Sequence, residues 1–102
     1  MDTLLTFYNK NEEEIVITEY KEVILIINMD NKNLTTIDDI KNQTLDILEY
    51  ILDYCNDFDD IKLNRTIAIV LLNMINETEE YLIQNYTLEL INEFRKSIEY
   101  IV

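Results

Sequence analysis

The sequence predicts an α+β fold built from two ββα repeats, a mainly antiparallel sheet carrying two amphipathic helices. Three observations predict it. Two stretches repeat apolar residues at helical spacing, short β-branched runs precede each of them, and the two halves align with one another. The 102 residues, 48% of them apolar, suit one domain over 1–102 with a single core. The copies run approximately over 14–55 and 59–101.

Residues 4–8 read as a leading strand, joined to the first copy through Asn9, Lys10 and Asn11. Residues 14–19 (EIVITE) are a weaker strand. Residues 23–28 (VILIIN) are a β-branched run too short for a helix and read as a central strand. Over 36–55, Ile37, Ile40, Thr44, Ile47, Leu48, Ile51 and Cys55 share one helical face, widened by Leu45 and Leu52. Asp39, Asn42, Asp46, Glu49 and Asp53 fall opposite. The link at 56–60 separates the copies, with Phe58 pinning it to the core.

The second copy repeats this order. Residues 60–64 (DIKLN) form a weak strand and 66–72 (TIAIVLL) a central one. A helix over 77–101 then turns Ile83, Leu90, Ile91, Phe94, Ile98 and Ile101 inward. At an offset of 43, Ile40, Ile47, Leu48, Ile51 and Cys55 fall on Ile83, Leu90, Ile91, Phe94 and Ile98. Thr35 or Thr36 caps the first helix, and Asn76 with Glu79 gives the second a start resembling a capping box. Asp38 and Asp39, and Glu77, Glu79 and Glu80, then occupy first turns, where the helix dipole favours them. With no glycine or proline, the turns must be Asn/Asp-rich or several residues long.

Acidic residues outnumber basic ones 21 to 8, and the net charge of −13 repels phosphate backbones and anionic lipid head groups. Direct nucleic-acid binding is therefore not expected; such acidity serves solubility, or a basic protein partner reached by electrostatic steering. No apolar run approaches the ~18 residues of a membrane span. The first ten residues lack the basic start of a signal peptide. The lone Cys55 forms no internal disulfide and suits a reducing interior.

Catalysis finds little to work with. The absence of histidine removes the usual acid/base at neutral pH, and the absence of glycine removes phosphate-cradling loops. Asp53, Asp57, Asp59 and Asp60 offer oxygen ligands for a hard cation. They lack the glycine of a sharp calcium loop, and Ala68 stands where its last bidentate glutamate belongs. A solvated linker is the better reading. Paired carboxylates for glycoside hydrolysis have no cleft to serve. Asn-x-Thr triplets beginning at Asn33, Asn42, Asn64, Asn76 and Asn85 match the glycosylation pattern, yet composition and capping account for most of them. The expectation is a protein with no enzymatic activity, no cofactor and no metal.

The apolar surplus points to binding. Residues 23–27 and 67–72 are apolar toward both sheet faces, Ala68 aside, more than two helices on one side can cover. Either the helices lie on opposite faces, or the uncovered face is buried against a second copy, giving a homodimer, or against another protein. The seam between the copies then forms a groove for an extended peptide. Leu25, Ile27, Ile69 and Leu71 would line it, with Tyr50, Tyr54 and Tyr86 as rim anchors. The rival reading is an acidic decoy that imitates nucleic acid and blocks a host defence protein. Asp38, Asp39, Asp46, Glu49 and Asp53 would carry it.

Seventeen isoleucines and twelve asparagines, against three residues from Gly, Pro, Ala and Arg together, mark an AT-rich genome. With VILIINM, IAIVLLNM and the paired TLDIL and TLELI segments, the chain resembles the small orphan proteins of filamentous viruses of thermophilic archaea, of the Acidianus filamentous virus type. The resemblance implies a viral protein without enzymatic activity, working by contact with other proteins in the host cytoplasm. It transfers no catalytic or binding residues.

Overall fold

Leu5 and Phe7 alternate with Thr6 and Tyr8, and the backbone forms a strand, β1 (Leu5–Tyr8), that buries the first pair. The structure, a computed structural model, describes residues 5–17 and 34–102. β2 (Glu14–Ile17) returns antiparallel, with Ile17 opposite Leu5 and Ile15 opposite Phe7. Asparagine makes the turn, as the missing glycine requires. Asn9 Oδ1 accepts the N–H groups of Asn11 and Glu13, both at 2.9 Å, while Glu12 takes the positive φ of 64°.

Five more elements follow. They are α1 (Leu34–Tyr54), a 3-10 turn (Phe58–Asp60), β3 (Lys62–Leu63), α2 (Arg65–Leu82) and α3 (Leu88–Ile101). β3 pairs antiparallel with the free side of β1, so the described sheet runs β2-β1-β3, with Leu5 between Ile17 and Leu63. The architecture is α+β with an antiparallel sheet, as the sequence predicts, but the described residues form three helices where two are expected.

The additional helix overturns the second ββα copy. Residues 66–72, expected as a central strand, form the first half of α2. Asn64 starts it, its Oδ1 accepting the Ile67 N–H at 2.8 Å. Ile67, Ala68, Leu71, Met74, Ile75 and Leu82 are the buried set, a helical period that the β-branched run conceals. Asn76 and Glu79 consequently lie inside α2 and make no capping box. Glu77, Glu79 and Glu80 fall toward its C-terminal end, where the dipole opposes negative charge, and Arg95 of α3 offsets this by pairing with Glu79.

The helix expected over 77–101 breaks in two. α2 stops at Leu82, and Thr87 starts α3 by accepting the Leu90 N–H on its side-chain oxygen at 3.1 Å. Ile83, expected inside, is half exposed at the turn. Thr35 and Thr36 likewise lie within α1, so they do not cap it, and Asp38 and Asp39 sit beyond its first turn. The strand expected at 23–28 lies outside the described residues.

The three described helices and the inner sheet face share one apolar core. Leu48, Ile51, Leu52 and Cys55 of the α1 side meet Leu5 and Phe7, the buried face of α2, and Ile91, Phe94 and Ile98 of α3. Leu48, Ile51 and Cys55 therefore match Ile91, Phe94 and Ile98 in burial at the offset of 43, although the strand–strand–helix order is not repeated.

Candidate functional site

α1 ends against the hairpin. The Asn56 N–H donates to the Tyr8 carbonyl at 2.8 Å, and Cys55 bridges to Asn9. The chain then turns at Asp57, whose Oδ1 accepts the Asp59 N–H at 2.9 Å. Half-buried Phe58 lays its ring 5.1 Å from that of Phe94, pinning the link to the core as its sequence position suggests. Facing the link, Leu90, Glu93, Ser97 and Ile101 form one stripe of α3. Between them lies a cleft of about 840 Å³. Leu52, Phe58, Leu90 and Ile101 supply its apolar lining, and Lys10, Asp57, Glu93 and Lys96 its charged edge. Tyr100, 95% exposed, stands beside them.

Ser97 Oγ has two acceptors in reach, Asp59 Oδ1 at 3.1 Å and the Glu93 carbonyl of its own helix at 3.2 Å. One hydroxyl proton serves one acceptor at a time. The contact between link and helix can therefore open without stranding the Ser97 donor.

Cys55 lines the same cleft but is itself buried, and loss of hydration pushes its thiol up from 9.0 to about 11. A folded-state pKa above the unfolded one favours the fold below pH 9, and that contribution is lost as pH rises through 11. The urea midpoint should therefore fall over this interval, and an aromatic disulfide reagent near pH 8 should attack the thiol quickly only in denaturant. Equal reaction rates in the folded and the unfolded chain would disprove the assignment.

The other side of α1 is polar and aromatic. Asp46, Glu49, Tyr50, Asp53 and Tyr54 fall within a sector of roughly 140° at 3.6 residues per turn. The Tyr50 ring meets Phe7 edge-on at 5.8 Å and Tyr54 at 4.9 Å. Tyr86, from the turn between α2 and α3, donates its hydroxyl to Asp53 Oδ1 at 2.7 Å, and Tyr81 of α2 lies in the field of the Glu49 carboxylate. Burial, then the hydrogen bond to Asp53, holds the Tyr86 phenol well above its ordinary range. The charge of Glu49 raises that of Tyr81.

The residues expected to line a seam are dispersed. Leu71 is 1% exposed in the core while Ile69 is 38% exposed, so the two face different sides of α2. Leu25 and Ile27 lie outside the described residues. Tyr50, Tyr54 and Tyr86 do come together, on the α1 face. Of the cleft residues, Asp59 stands in the carboxylate cluster of the link and Leu90 on the inward helical face read from the sequence, while Ser97 and Tyr100 carry no motif. Among the described residues, no group of three or more His, Cys, Asp or Glu side chains is placed to hold a metal ion. None of the helices described is long and apolar enough to cross a membrane. Compared with known proteins, the chain matches no family model, no curated protein and no solved structure.

Proposed function

We propose that this chain is a small viral protein that acts without enzymatic chemistry, by holding a segment of a host protein in the cleft between the 56–60 link and α3. One observation carries the reading. A tyrosine 95% exposed stands beside an apolar cleft of about 840 Å³, an arrangement that leaves a large anchor side chain waiting for a partner. The two-acceptor contact at Ser97 supports it, because the link can yield to an entering side chain. The isoleucine- and asparagine-rich, glycine-free composition supports the viral part of the proposal.

A photoreactive phenylalanine analogue at Tyr100, in the full chain expressed in host cells, should cross-link a discrete partner. The same probe at Val16, on the outer sheet face, should not. Tyr100→Ala should then weaken binding of that partner roughly thirtyfold, the ~2 kcal/mol of a hot-spot tyrosine. Its stability should stay within about 0.5 kcal/mol, as for an exposed site. Identical adducts from both probe positions, or undiminished binding by the alanine variant, would refute the proposal.

A further inference from the structure

We infer that the exposed face of α1 over residues 46–54 docks an arginine-bearing segment of a partner protein, its guanidinium groups lying on the Tyr50 and Tyr54 rings and pairing with Asp46 and Asp53. This surface is separate from the cleft, because helical geometry puts Leu52 and Cys55 on the opposite side of α1.

Charge and ring chemistry occur here together. Asp46 and Asp53 stand about 10 Å apart along the helix, at 1.5 Å per residue, with two exposed tyrosine rings between and beside them. None of Asp46, Glu49 and Asp53 is ion-paired among the described residues, where the salt bridge is Arg95 with Glu79. Tyr86 instead orients the Asp53 carboxylate with a neutral hydroxyl donor, so its charge is aimed but not cancelled. Tyr86 occupies only one oxygen of Asp53, leaving the other for a cationic donor. The Glu49 charge pushes the Tyr81 phenol up, and for Tyr86 the Asp53 and Glu49 charges add to the larger effect of burial. A carboxylate row interleaved with aromatic rings suits arginine better than lysine. The guanidinium is planar, weakly hydrated and able to stack while it pairs.

A partner other than a second copy of this chain fits better: two copies at −13 each repel, and with Arg95 engaged by Glu79 each copy has a single arginine, Arg65, to offer a two-carboxylate row. Nucleic acid is repelled for the same reason.

The test is a titration of the isotope-labelled full chain with short alanine-based helical peptides that differ only in carrying arginine, lysine or citrulline. Amide shifts should centre on residues 46–54 and Tyr86, with arginine binding roughly tenfold tighter than lysine. The citrulline peptide should not bind. Asp46→Asn should weaken the arginine peptide severalfold without disturbing the fold, and Tyr54→Ser should erase the preference over lysine. Glu77→Gln with Glu80→Gln, removing charge elsewhere, should leave that preference intact. Equal affinity for arginine and lysine, or indifference to both Asp46→Asn and Tyr54→Ser, would overturn the inference. Shifts confined to α3 and the link would also overturn it, while leaving the cleft reading standing.

Discussion

Replacing Phe94 with alanine should destabilise the chain by about 3–5 kcal/mol. Phe94 is 0% exposed and sits where α3, the 3-10 turn and the core meet, with the Phe58 ring 5.1 Å away. Truncation removes the buried ring and leaves a cavity that two elements border, so collapse around it is incomplete. It also frees Phe58, the side chain that fastens the link. Domains of this size have roughly 5–15 kcal/mol of total stability, so the variant should be partly unfolded at 37 °C. Urea unfolding followed by far-UV circular dichroism measures the loss. Phe94→Leu, which keeps most of the volume, should recover the larger part of it. A loss below about 1 kcal/mol for the alanine variant would mean that α3 is not seated as described.

The second large effect separates a helix from a strand at residues 66–72. Leu71→Ala should cost about 2–5 kcal/mol, because Leu71 is 1% exposed in the core face of α2. Ile69→Ala, two positions away, should change stability by no more than about 1 kcal/mol, since lost apolar contact is offset by the better helix propensity of alanine. In a central strand buried on both faces, both substitutions would be costly. Paired urea titrations decide the matter, and comparable large losses at both positions would contradict α2.

Where the pattern was local, the sequence could be read. β1 and its asparagine turn follow from alternation and from the absence of glycine, and α1 begins within two residues of its periodic stretch. The burial of Leu48, Ile51 and Cys55, and of Ile91, Phe94 and Ile98, follows from the two matching amphipathic faces. α2 could not be read in the same way. Its β-branched start satisfies the strand criterion up to Leu72, and the helical period emerges only when Met74 and Ile75 are counted with Ile67, Ala68 and Leu71. The cleft was less legible still. It joins Lys10, Asp57 and Ser97 through the docking of separate elements, and no spacing along the chain encodes a docking angle. The Tyr86–Asp53 bond belongs to the same class, since it depends on where the turn after α2 comes to rest.

β1 lies at the centre of the described sheet, and this has a consequence for synthesis. Its partner on one side, β2, emerges from the ribosome almost at once, so the hairpin can close while translation continues. Its partner on the other side is Leu63, 58 residues downstream of Leu5. At 5–20 residues per second that is a wait of roughly 3 to 12 seconds with one strand edge open. During that interval Leu5 and Phe7 lack the helices that later cover them, and the hairpin is available to pair with other nascent chains. Slowing translation before residue 62 should therefore raise the aggregated fraction, and an early chaperone contact at β1 should lower it.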